Sequence, residues 1–472
     1  MANLHSSPNV PPVPANRFTA PYRTFFSYPD LYGSLFPRDY GAQSDDEDSD
    51  DEDSVIDEEV GREPETRPLL GRRKSTAQKQ GDASSAKTFF LLIKSFIGTG
   101  VLFLPKAFKN GGLAFSVVAL VVVALVSCLA MHLLLQCRQK YGGGYGEIGE
   151  AIGGKRVRSI ILASITISQI GFVCASLIFT AQNMNSFLEA VLHESWPLST
   201  KALIGLQLVF LVPLAFVRNM SKLGGIAIFS SVCIIFGLVY ILQADITALA
   251  TQGVSKTVQQ FNPRDFTLTI GSIIFSFEGI GLIIPVQSAM REPQKFERLL
   301  VIVMILITII FTSVGALSYA TFGDKTRVEI ISNFPQDNKL VNIVQFLYSL
   351  AILVGAPVQL FPAIRNVEGA LFGRQSGKRS SVTKWKKNAF RTLSVCACGV
   401  VSYLGASKLD KFVALVGSFA AVPLLYIYPG YLHFKGVADN RYSKAGDVVL
   451  MVVGLVAMVY TTAVTAARWA ET

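Results

Sequence analysis

The sequence predicts an all-α integral membrane protein of about 11 transmembrane helices, arranged as two five-span units of opposite orientation, with a broken helix in each. Three observations predict it. The chain is 51% hydrophobic and only 16% charged, outside the range of a soluble domain with one core. Apolar runs long enough to cross a bilayer recur from Lys87 onward. Finally, one pattern occurs twice inside such runs: Gly98-Thr99-Gly100 leading to Pro105, and Gly279-Ile280-Gly281 leading to Pro285. Each Gly costs roughly 1 kcal/mol against Ala in a helix. In lipid a freed backbone group has no water to turn to, so such breaks survive only where they are buried or line a cavity. Two matching breaks point to one binding site at mid-membrane.

The net charge of +10 is unevenly distributed, with −7 over residues 1–86 and +17 over the remainder. A basic membrane part suits loops facing anionic lipid, and no nucleic-acid partner is needed to explain it. Residues 1–86 form the first region, read as a disordered cytosolic tail rich in Pro and Ser, with an acidic block from Asp45 to Glu59. Within it Glu65, Leu69 and Leu70 match an acidic dileucine sorting signal, read by a soluble adaptor. The tail lacks the pattern of a secretory signal, so the first apolar run, from Thr88, is expected to act as a retained signal-anchor.

The transmembrane region covers residues 87–470. Its spans are expected at 88–108, 113–137, 158–188, 200–217, 223–243, 266–289, 299–319, 338–363, 388–405, 409–431 and 446–467. Clusters of Gly, Asn and charge separate them, as at Lys109-Asn110-Gly111-Gly112. A short surface helix is expected over Tyr145–Ile152. Loops after even-numbered spans carry about twice the Lys and Arg of the others, which puts the N-terminus in the cytosol. By the same parity the first span starts from the cytosol and the sixth from the opposite face, which makes the doubled motif the trace of an inverted repeat.

Lys94-Ser95-Phe96-Ile97-Gly98-Thr99-Gly100 through Pro105 resembles the first span of the amino acid/auxin permease superfamily, and Phe275-Ser276-Phe277-Glu278-Gly279-Ile280-Gly281 through Pro285 resembles its sixth. Gln169-Ile170-Gly171-Phe172, Tyr319 to Asp324 and Pro357 to Pro362 extend the likeness in order. Within the superfamily the chain is most similar to fungal vacuolar amino-acid transporters and animal proton-assisted amino-acid transporters. The resemblance implies the five-plus-five LeuT-like fold with one extra span, neutral amino acids as substrate, a proton gradient as driving force and residence in a vacuolar or lysosomal membrane. The animal branch has a His just before the first-span Lys, where this chain has Leu91.

On the residues themselves, the half-helix that starts after Gly100 offers unpaired N–H groups and the positive end of its dipole, which suit an α-carboxylate. Gly98, Thr99 and Gly100 are the expected grip, with the Thr99 hydroxyl as a further donor. At the second break, carbonyls near Phe277 and Gly279 are expected to take the α-ammonium, with Phe277 closing over the substrate. Glu278 is the carboxylate placed near mid-membrane, where a charge costs roughly 2.5–3.5 kcal/mol on insertion scales. Three roles are open to it: carrying the coupled proton, pairing with the substrate ammonium, or accepting hydrogen bonds from the unwound backbone. His132 is a second candidate for the proton, and Lys94 is expected to snorkel to the cytosolic interface.

Enzymatic chemistry finds no support. Gly144-Tyr145-Gly146-Glu147-Ile148-Gly149 formally matches a dinucleotide fingerprint but follows no strand, and nucleophile-elbow and His-Glu-x-x-His patterns do not occur. No cofactor or metal is expected, because the six cysteines lack zinc-ligand spacing and sit in or beside apolar runs. The functional expectation is a secondary transporter for neutral amino acids, proton-coupled and running toward the cytosol. The competing one is an amino-acid sensor whose tail signals to a soluble partner.

Overall fold

Helix formation follows the apolar runs, and caps fix where several helices begin. Ser84 and Ser199 accept backbone N–H groups three residues on, and Asn338 accepts that of Leu340, each at the start of a helix. The computed structural model describes residues 83–98, 100–192, 199–217, 220–373 and 380–470. Glu65, Leu69 and Leu70 of the sorting signal, the acidic block and Thr99 lie outside the described residues.

The helices in chain order are α1 (Ser85–Phe96), α2 (Gly100–Gly111), α3 (Leu113–Tyr141), α4 (Tyr145–Gly153), α5 (Lys155–Leu192), α6 (Thr200–Ala215), α7 (Met220–Gln252), α8 (Phe266–Ser276), α9 (Ile280–Ala289), α10 (Phe296–Phe322), α11 (Lys339–Phe372), α12 (Ser381–Gly405), α13 (Leu409–Val416), α14 (Tyr428–Gly436) and α15 (Arg441–Ala470). Each of the eleven expected spans corresponds to one helix or to a short succession of them. Among the described residues, eight are long and apolar enough to cross a membrane, nine if the bent pair α1–α2 counts as one. The outer faces of α6, α12 and α15 carry Val209 and Phe210, Leu404, and Val456, each more than half exposed, as a surface against lipid requires.

Four pairs of spans five apart pack against each other. Helix α2 of the first span lies on α8 of the sixth, α3 on α10, α5 on α11, and α6 on α12. This is the pairing that two five-span units would give. The turn between α2 and α3 depends on Gly112, whose φ is 85° and where a Cβ would meet the backbone of Gln260 and Phe261 at 2.7 Å. Just ahead of α1, Ala83 donates to the carbonyl of Ala289 and accepts from the N–H of Arg291, both at 2.9 Å. The start of the first span is thereby pinned to the end of the sixth.

The structure departs from expectation in four places. Helix α7 runs to Gln252, past the expected end at 243, so Asp245 falls inside it and is fully buried, accepting from Ser318 Oγ at 2.5 Å. Asp245, Glu368 and Asp447 are therefore buried carboxylates, each within about two turns of a helix end. Helix α4 is a packing element rather than a surface one: Tyr145 is 2% exposed and donates to the carbonyl of Leu424 at 2.8 Å. The tenth span is not one regular helix, since wide π turns at Gly417–Ala421 and Pro423–Ile427 separate α13 from α14. A Cβ on Gly417 would lie 1.9 Å from the carbonyl oxygen of Gly271, so the two backbones touch there. Pro423 also brings no N–H to the regular ladder.

Candidate functional site

Both breaks are short, and they lie side by side. The first lies between α1, which ends at Phe96, and α2, which starts at Gly100, the two helices being bent by 48°. The second is Phe277-Glu278-Gly279, between α8 and α9. In each half the proline is the sixth residue of the helix that follows the break, Pro105 in α2 and Pro285 in α9. Ser276 Oγ donates to the carbonyl of Gly100 at 2.8 Å and ties the two breaks together.

The glycines of each pair have separate reasons. A Cβ on Gly100 would lie 2.8 Å from Ser276 Cα, so this glycine permits the close approach of α2 to α8. A Cβ on Gly98 would meet nothing within 4 Å, because that position borders open space. Gly279 makes room for the ring of Phe96, 2.7 Å from where its Cβ would stand.

That open space is a cavity of about 220 Å³, bordered by Gly98 and Gly100 from the first break and by Ser276, Glu278 and Gly279 from the second. It is below the roughly 300–1,000 Å³ typical of sites for drug-sized ligands, and therefore suits a small solute. The first N–H groups of α2 have no intrahelical partner and carry the positive dipole end. Across from them, the carbonyl of Gly279 accepts from the N–H of Leu282 at 3.0 Å and keeps a second lone pair. Glu278 is half-buried at the cavity edge and accepts from Ser168 Oγ at 3.3 Å.

Of the residues singled out in the sequence, the structure brings Gly98, Gly100, Glu278 and Gly279 to one cavity. Phe277 is turned away: it is fully buried and its ring packs on Phe311 of α10, 5.2 Å between centroids. The aromatic wall is instead Phe172 and Phe275, stacked at 4.0 Å. His132 is outside the cavity and pairs with Glu297. Lys94 also differs from expectation, because it lines the cavity and does not reach for the interface. It precedes the break by one helical turn, which aims it along the opening. Ser95, Gln169 and Gln359 add to the polar lining. Gln169 shares its span with Gln182 and Asn183, and Gln359 with Asn342 and Gln345, so the sequence did not single them out. Among the described residues, no group of three or more His, Cys, Asp or Glu side chains could hold a metal, and all six cysteines are free.

Residues 81–467 match the family described as transmembrane amino acid transporter protein. Over 98% of its length the chain is 40% identical to vacuolar amino acid transporter 3 of Schizosaccharomyces pombe, spanning 70% of that protein. It is 41% identical to vacuolar amino acid transporter 3 of Saccharomyces cerevisiae, again over 98% of its length and spanning 66% of the relative. Among solved structures it is similar to Mhp1 in an inward-facing conformation, with a TM-score of 0.57 at 14% identity, covering 86% of this chain and 95% of that one. This last likeness carries the fold alone, that of the LeuT-like transporters.

Proposed function

Because the chain belongs to the transmembrane amino acid transporter family, we propose that it moves neutral amino acids across the vacuolar membrane, from lumen to cytosol, by opening the cavity between its two breaks to each face in turn. The carrying observation is the composition of that cavity: bare main chain at both breaks, with Glu278 and Lys94 as charged members of its lining. An α-carboxylate is held by the N-terminal N–H groups of α2 with Lys94 on the same wall, and an α-ammonium by the second break with Glu278. Recognition at the backbone leaves the substrate side chain to the Phe172 and Phe275 wall, so small apolar side chains fit and charged ones do not.

Proton coupling is assigned to Glu278, the carboxylate that borders the substrate space. A lumen-acidic gradient then drives import into the cytosol. The excess of Lys and Arg in loops after even-numbered spans supports a cytosolic N-terminus. The tail, through Glu65, Leu69 and Leu70, supplies the address to a sorting adaptor.

The test is uptake of a panel of amino acids into proteoliposomes with and without an imposed pH gradient, with Glu278→Gln run beside the unaltered chain. Flux of small neutral amino acids that grows with the gradient is expected, and Glu278→Gln is expected to lose that dependence. Unaltered proton dependence in the variant removes Glu278 from the coupling role. No flux for any amino acid, with signalling lost on removal of residues 1–80, would establish a sensor instead.

A further inference from the structure

Five polar side chains from four helices form one continuous row where α3, α10, α14 and α15 meet, and none of them lines the central cavity. Glu297 Oε1, in the first turn of α10, is 2.5 Å from His132 Nδ1 on α3. His132 Nε2 is 2.9 Å from Gln136 Nε2, one helical turn further along. Gln136 Oε1 is 2.7 Å from His433 Nε2 on α14, and His433 Nδ1 is 2.8 Å from Asp447 Oδ2 on α15. The outer pair is partly exposed, His132 at 37% and Glu297 at 43%, whereas His433 and Asp447 are at 5% and 3%. On α3, Cys128 faces Glu297 and Cys137 faces Asp447, and Lys140 donates to the carbonyl of Gly436 at the end of α14 at 2.8 Å.

A primary amide donates only through nitrogen and accepts only through oxygen. Between two imidazole nitrogens, Gln136 must therefore donate to one ring and accept from the other. The ring that gives its Nε2–H to the amide has no further hydrogen in its neutral form. Its contact with a carboxylate at Nδ1 then requires a second proton, on the ring or on the carboxyl. With the amide as it stands that ring is His433, and the proton is shared with Asp447. Turning the amide over transfers the same requirement to His132 and Glu297. Either way the row holds one proton more than two neutral imidazoles and two carboxylates.

Without that proton, the amide oxygen or a carboxylate must face a bare ring nitrogen. A buried carboxylate left unpaired is the costlier outcome, so the amide bridge between α3 and α14 gives way. We propose that this row is a proton-binding site, separate from the central cavity, whose occupancy fastens α14 to α3. The connection matters for the cavity because α14 continues directly from the π turns that press on α8, the helix ending at the second break. The inference stands whichever solute the cavity takes.

The test uses the full chain labelled with 15N-histidine, with His5→Asn and His193→Asn so that His132 and His433 alone report. Nitrogen spectra at stepped pH between about 5 and 8 are expected to show a window in which one Nε2 bears hydrogen and the other does not. That window is expected to close in a single one-proton step. Identical Nε2 states in the two rings at every pH would overturn the site. The second arm is Gln136→Leu, similar in volume and unable to bridge. With equal pH on both faces, so that no gradient drives the flux, the step in uptake rate over the same range is expected to disappear in it. A pH profile identical to that of the parent chain would overturn the fastening role.

Discussion

The separate reasons for Gly98 and Gly100 make a prediction that needs only a methyl group. In Gly100→Ala the new Cβ would stand 2.8 Å from Ser276 Cα, against a carbon–carbon optimum of about 3.5–4.0 Å. The obstacle is backbone and cannot rotate away, so α2 and α8 must part by about 0.7 Å or more. Overpacking of this kind costs about 1–3 kcal/mol. The Ser276 Oγ bond to the Gly100 carbonyl, 2.8 Å long, stretches as well, at about 0.5–1.5 kcal/mol. Alanine returns up to about 1 kcal/mol as the better helix former. The net expectation is a loss of about 1–3 kcal/mol, read as a lowered thermal midpoint in detergent. Uptake should fall with it, since the parted breaks are the walls of the cavity. Gly98→Ala is the control. Its methyl meets nothing within 4 Å, so stability should be unchanged while uptake of the larger substrates is lost first. Equal thermal midpoints for Gly100→Ala and the parent chain, or equal destabilisation by both substitutions, would refute the assignment of close approach to one glycine and access to the other.

Arg391 is 1% exposed, forms a bidentate pair with Glu368 at 2.6 and 2.9 Å, and donates to the carbonyl of Ala215 at 2.9 Å. Arg391→Ala should cost about 3–5 kcal/mol by leaving a buried carboxylate alone, and Arg391→Met with Glu368→Leu should recover most of it in the same unfolding assay. Burial pushes the Glu329 carboxyl above its ordinary range in the loop before α11, against the pull of its own backbone N–H and of Arg327. An acid whose folded-state value is raised favours the fold only while it keeps its proton. Stability should therefore fall as pH rises from about 4.5 through the raised value, and Glu329→Gln should flatten that part of the profile. With Glu278→Gln in proteoliposomes, the expected result is flux that no longer responds to an imposed gradient, measured as equal initial rates with and without it.

The architecture was legible because its signals are local or periodic. Apolar length gave the spans, and Gly-x-Gly with a following proline gave both breaks, since a helix cannot run through them at that depth at no cost. Gly98, Gly100, Glu278 and Gly279 come together at one cavity because that cavity borders the breaks themselves. Phe277 was misplaced for a physical reason: beside a break the helical period is lost, so nothing in the sequence says whether residue 275 or 277 faces the cavity. Lys94 was assigned to the interface by the habit of lysine near a span's end, whereas the bend placed the nearest polar space inside the protein. Asp245 was left outside its span because the strongly apolar run ends sooner than the helix, which continues to Gln252.

What the chain order could indicate alone was where the apolar helices run and where the two interruptions fall, both properties of short segments in an apolar solvent. Only the folded arrangement decided which polar groups meet. Gln136 and His433 are 297 positions apart and Arg391 and Ala215 are 176 apart, and neither segment taken singly names its partner. In lipid a buried polar group must find a partner inside the protein, but which partner depends on helix rotation and contact, and those are set by packing across the whole bundle.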